Sequence, residues 1–87
     1  MKKHIKIYHD SRNITPGNTI YCEICGAVAV DIHHIDPKGM GGSKIKDIPE
    51  NLIAVCRKHH LQAHGQIQPK ISKEELREYS KYIQQNS

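Results

Sequence analysis

The sequence predicts an α+β fold: two short extended runs, a short helix crowded with ligand-type side chains, and a C-terminal helix. Three observations carry that expectation. "AVAVDIHHI" and "NLIAVC" are rich in β-branched and apolar residues and are separated by a long loop of Gly and Lys. "RKHHLQAHG" lacks β-branched residues and closes on Gly65, which suits the left-handed position after a helix. "ISKEELREYSKYIQQNS" opens with Ser72 and Glu75 at capping-box spacing and then repeats Leu76, Tyr79 and Ile83 at helical spacing.

Taken in order, the chain divides into an N-terminal extension over residues 1–20, a core over 21–67 and a C-terminal helix over 68–87 that packs on the core. In the extension "HIKIYH" alternates like a short strand, and "NITPGNT" reads as a turn-rich loop. "YCEICG" is a tight CxxC turn closed by Gly26. In the strand that follows, Val28, Val30, Ile32 and His34 share one face, whereas Asp31, His33 and Ile35 share the other. "DPKGMGGSKIKDIPE" is loop by composition, with Pro at each flank, and "NLIAVC" returns as the second strand of an irregular hairpin. In the last helix Ile71 at N′ is placed to staple onto Leu76 at N4.

A chain of 87 residues makes one small domain, and without Phe or Trp its core rests on Ile, Leu, Val and four Tyr. A domain of this size buries only ~60% of its unfolded-chain surface and usually needs a disulfide or a metal. Three cysteines at these spacings argue against a disulfide framework and for a reducing compartment. "MKKHIKIYHD" has no apolar stretch of the secretory kind, and no run approaches the ~20 apolar residues that span a membrane. A cytoplasmic protein is therefore expected, with no membrane partner. The net charge of +4 and pI near 9.1 suit a polyanion partner, although a merely basic surface gives the same figures.

Cys22-x-x-Cys25 and, 31 positions after Cys25, Cys56-x-x-His59 form two ligand pairs on separate knuckles. Together they supply Cys₃His, the composition of a structural zinc site, whose soft thiolates neutralise the ion. Structural zinc brings ~10–16 kcal/mol of apparent binding free energy, enough to fold a thin core. The competing reading is three unrelated buried or reactive cysteines, and the matching C-x-x-H pair counts against it.

Setting those four aside leaves His33, His34, His60 and His64. Neighbouring histidines on a strand point to opposite faces, so one of His33 and His34 can bind an ion while the other faces substrate. His60 and His64 are i and i+4 on a helix and share a face, and His59 lies about 140° from His64. Imidazole ligands with open positions suit a catalytic divalent ion, and a free imidazole nearby could activate water. Taken singly, each of these histidines is as well explained as a surface residue. Asp31 is expected to orient a ligand or base from behind.

The run "CEIC…DIHHIDPKGMGGSKIKDIPENLIAVCRKHHLQAHG" resembles the HNH endonucleases, also called ββα-metal or His-Me finger nucleases, and in particular their small zinc-knuckle phage and bacterial members. The resemblance covers residues 22–65 and implies a ββα-metal fold stapled by a structural zinc, with an additional C-terminal helix. It implies His34 as general base and His33 as a ligand of the catalytic ion. Asn51 matches the central Asn, which braces the loop and orients the site. His60, nine residues after Asn51, matches the metal-binding histidine of the helix, and His64, thirteen after it, a further ligand. One departure stands out: the second knuckle is usually C-x-x-C followed by His, and here it is Cys56-x-x-His59 followed by His60. That leaves open whether His59 or His60 completes the zinc site.

The function so implied is hydrolysis of DNA phosphodiesters with one divalent ion (Mg2+, Mn2+, Ni2+ or Zn2+), in a bacterial or phage-infected host cell. Lys38, Lys44, Lys46, Arg57 and Lys58 are the expected phosphate contacts, which position DNA without reading sequence. Specificity would come from a homodimer or a partner protein. The competing class is a zinc-knuckle nucleic-acid-binding module without catalysis; an adaptor docking through its C-terminal helix has little positive support.

Overall fold

The computed structural model describes residues 3–15, 17–36 and 48–82. Lys38, Lys44, Lys46 and Ile83, singled out above, lie outside the described residues. Strand β1 (Asp31–His34) pairs antiparallel with β2 (Leu52–Val55), with Ile32 opposite Ala54 and His34 opposite Leu52. All four residues of β2 are fully buried, because the hairpin is covered on both faces. Leu52 and Ala54 meet Ile32 and Tyr8 on one face. Ile53 and Val55 meet Ile35, Ile71 and Leu76 on the other. An unbroken apolar run of four residues is thus the centre of an α+β sandwich.

The first face is covered by helix α1 (Lys3–Ser11), where alternation predicts a strand. Ile5 and Ile7 are two apart, but Ile5 and Tyr8 are three apart, so so short a segment fits either period. Tertiary burial decides it: Tyr8 is buried against the hairpin, and an i,i+4 pair from Lys6 to Asp10 (3.0 Å) supports the exposed side.

β1 is also shorter than its composition suggests. Val28 and Val30 are 60% and 61% exposed, and of the expected strand face only Ile32 enters the core fully. The partner strand explains this, since the paired register ends at Asp31 opposite Val55 and the next residue, Cys56, begins the knuckle.

Helix α2 (Arg57–Ala63) follows with Cys56 at its N-cap, and Gly65 at C′ takes φ +73°. A side chain there would also meet the Lys70 stem, whose Cδ lies 3.4 Å from the position of a Cβ. Helix α3 (Lys73–Tyr79) carries the full capping box: Ser72 Oγ accepts from Glu75 N (3.1 Å), and Glu75 Oε1 accepts from Ser72 N (3.2 Å). Ile71 and Leu76 join the second core face. Tyr79 does not dock as its spacing predicts. The helix ends there, the chain turns extended at Ser80, and the fully buried Ser80 takes the place next to the core while Tyr79 stays 41% exposed.

Sequence patterns give no sign of the contact that ties the two ends of the chain together. Glu23, inside the CxxC spacer, is buried; its Oε2 accepts from Tyr8 Oη (2.7 Å) and Ala54 N (3.0 Å), and its Oε1 from Lys81 N (2.8 Å). Arg12 joins it, donating to Leu52 O (2.6 Å), Pro49 O (3.1 Å) and Ser80 Oγ (3.2 Å), with its guanidinium 4.3 Å from the Tyr8 ring centre. α1, the knuckle, β2 and the segment after α3 therefore meet on one buried carboxylate.

Candidate metal centres and cleft

The CxxC turn is built by Cys22 N donating to Ala27 O (2.6 Å) and Gly26 N donating to Cys22 O (2.9 Å), with Gly26 at φ +84°. It faces the start of α2, and the ligand atoms of Cys22, Cys25, Cys56 and His59 all lie within 4.8 Å of one another. Cys25 Sγ and Cys56 Sγ are 3.7 Å apart, and His59 Nδ1 is 3.7 Å from Cys22 Sγ and 3.2 Å from Cys56 Sγ. Tetrahedral zinc at its usual bond lengths would set S···S edges of about 3.8 Å and S···N edges of about 3.6 Å. The set therefore fits zinc.

The electrostatics of Cys22 and His59 fit as well. Burial pushes the Cys22 thiol up, but backbone N–H donors from Cys25, Cys56 and Ile24 more than offset it, and the net shift is downward, toward thiolate. Burial, helped by Lys58, pushes His59 down, toward the neutral ring a metal needs. His59, and not His60, is the histidine beside the three cysteines.

The other face of α2 carries a second group. The ligand nitrogens of His33, His60 and His64 also lie within 4.8 Å of one another. His60 Nε2 and His64 Nε2 are 2.9 Å apart, as one helical turn places them, and the His33 ring centre is 5.7 Å and 4.9 Å from theirs. Adjacent ligands of a six-coordinate ion at ~2.1 Å are about 3.0 Å apart, so this set fits a divalent cation with positions to spare. Burial, then the nearby His64 and His60, pushes His33 down to about 4, which keeps its ring neutral near pH 7. Asp31 Oδ2 is 3.3 Å from His60 Nε2, so its carboxylate is in contact with one histidine of this set.

His34 points to the opposite face of β1, as strand alternation requires, and meets His4 of α1 with ring centres 4.8 Å apart. Asn51, buried at the end of a 3-10 turn, clamps the strand exit: its Oδ1 accepts from Asp36 N (2.8 Å) and its Nδ2 donates to Asp36 O (3.1 Å). Asp36 is paired in turn with Lys73 (3.2 Å) and with Arg77 of α3.

His33, His34, His60 and His64 all line one cleft of about 810 Å³. Arg57 and Lys58 are exposed on α2 but do not line it. Among the described residues its lysines are Lys70 and Lys73, which sequence patterns do not single out, nor do they single out His4 on its other wall.

A covered two-stranded hairpin running into a helix, with two sets of side chains that could each hold a metal ion, defines a small α+β domain. The HNH endonuclease family model matches residues 22–66, over half of the chain, and the chain belongs to that family. Comparisons with curated proteins and with solved structures give no significant match. Among the described residues, no helix is long and apolar enough to cross a membrane.

Proposed function

We propose that the chain is a metal-dependent endonuclease that hydrolyses DNA phosphodiester bonds. The observation that carries this reading is the open His33–His60–His64 set in a cleft shared with His34, separate from the closed Cys₃His set. A zinc-stapled binding module has no need of the second set.

In this reading Cys22, Cys25, Cys56 and His59 hold a structural zinc that fixes the CxxC turn to the start of α2. His33, His60 and His64 hold a divalent ion, which when bound supplies Lewis-acid stabilisation to the phosphate and the leaving 3′ oxygen. His34 accepts the proton of the attacking water. Asn51 acts through the backbone of Asp36, holding the end of β1 so that His34 keeps its place. Lys70, on the cleft wall, pairs with a backbone phosphate and positions the strand without reading its sequence.

Incubating the zinc-loaded protein with supercoiled plasmid and Mg2+, Mn2+ or Ni2+, with an EDTA control, tests the reading. Ion-dependent nicking or linearisation is expected. Salt-sensitive DNA binding with no cleavage under any ion would instead identify a non-catalytic nucleic-acid-binding module.

A further inference from the structure

We propose that His4 is a positioning residue that holds the His34 imidazole in the orientation it needs to accept a proton. The proposal rests on the reading of His34 as general base. His4 lies outside residues 22–66, so it comes from an element that the family match does not cover.

The fold specifies this contact twice over. Tyr8 of α1 and Ile32 of β1 share a core cluster, and Tyr8 is locked there by its hydrogen bond to Glu23. Four residues before Tyr8 on the same helix face is His4, about 6 Å along the axis. Two residues after Ile32 on the same strand face is His34, about 6.6 Å along the strand. The near equality of these two steps brings His4 against His34 once Tyr8 is seated on Ile32. The rings meet at 4.8 Å and 44°, a tilted packing, and both line the cleft.

The contact also fits the chemistry. His34 is the last residue of β1, and it lines the cleft. A base that sweeps through several orientations spends less time aligned with an in-line water, and a misplacement of ~1 Å can cost ~100-fold in rate. A ring packed against it from the helix restricts that motion without touching the reacting atoms.

The test is steady-state plasmid cleavage by the zinc-loaded protein carrying His4→Ala or His4→Phe, beside His34→Ala, with Mn2+ affinity and thermal unfolding measured on each. His4→Ala should lower kcat by roughly tenfold to a hundredfold with KM and Mn2+ affinity unchanged. His4→Phe, which restores a ring, should recover most of that loss. A kcat within about twofold of the unmodified protein in His4→Ala, or a His4→Phe variant as slow as His4→Ala while both remain folded, would overturn the proposal. If His34→Ala cleaves at full rate, the base assignment itself fails and the positioning role falls with it. An inactive His34→Ala beside an unimpaired His4→Ala would remove the positioning role alone.

Discussion

Arg12, one residue past the end of α1, and Glu23, inside the Cys22–Cys25 spacer, form an ion pair of 3.4 Å whose side chains are only 6% and 3% exposed. At that burial each charge depends on the other, and removing one leaves its partner without an opposite charge beside it. Glu23→Ala is therefore expected to cost about 3–5 kcal/mol, against a total of only ~5–15 kcal/mol for a small domain. Urea unfolding of the zinc-loaded protein measures it. A loss below about 1 kcal/mol would show that the carboxylate is not the junction of the four segments.

Tyr8, which donates to the same carboxylate, makes stability fall at alkaline pH. Burial first, then the charge and hydrogen bond of Glu23, raise the Tyr8 phenol well above its ordinary 10.0. Above pH 10 the unfolded chain gives up that proton while the folded chain keeps it. The unfolded state then binds fewer protons, so stability is complete below pH 10 and declines as pH rises through and beyond it. Titration of tyrosinate absorbance should show one of the four tyrosines ionising only as the protein unfolds. Uniform ionisation of all four in the folded state would contradict this.

Cys22→Ala should abolish tight zinc binding and unfold the chain. Structural zinc contributes ~10–16 kcal/mol of apparent free energy, more than the stability of a domain this small. Metal analysis alongside circular dichroism checks both effects. A folded, zinc-loaded Cys22→Ala protein would remove the residue from the site.

Asp31→Asn separates the two metal sets. With its carboxylate 3.3 Å from His60 Nε2, loss of the charge should weaken Mn2+ binding by roughly tenfold to a hundredfold and leave zinc content unchanged. Calorimetric titration of zinc-loaded protein gives the affinity, and an unchanged value would exclude Asp31 from the site.

Lys70→Ala addresses the cleft wall. In a His34→Ala background, where DNA is bound and not cut, one phosphate contact fewer should lower the log–log salt slope by ~0.9. An unchanged slope would mean that Lys70 meets only water.

Much of this architecture is legible from local spacing. The two C-x-x pairs already group Cys22, Cys25, Cys56 and His59, and helical period sets His59 about 140° from His64. Ser72 and Glu75 mark the start of α3 because a capping box spans only a few residues. The illegible parts depend on partners far along the chain. α1 is a helix because Tyr8 is anchored to Glu23, fifteen residues away. Tyr79 loses its place to Ser80 because Arg12, 68 residues away, reaches Ser80 Oγ. Val28 and Val30 have strand composition but fall outside β1: Val28 forms an isolated bridge with Tyr21, and β2 gives way to the knuckle at Cys56. His4 carries no signal of its own, because only the seating of α1 brings it to His34.

The measurement that bears most directly on the account is the single-turnover rate of plasmid cleavage by His34→Ala, with zinc content and Mn2+ affinity checked on the same sample. A folded protein with both metal sets intact and cleavage reduced by a factor of ~100 or more is expected. Cleavage at the unmodified rate by that folded, metal-loaded protein would contradict it.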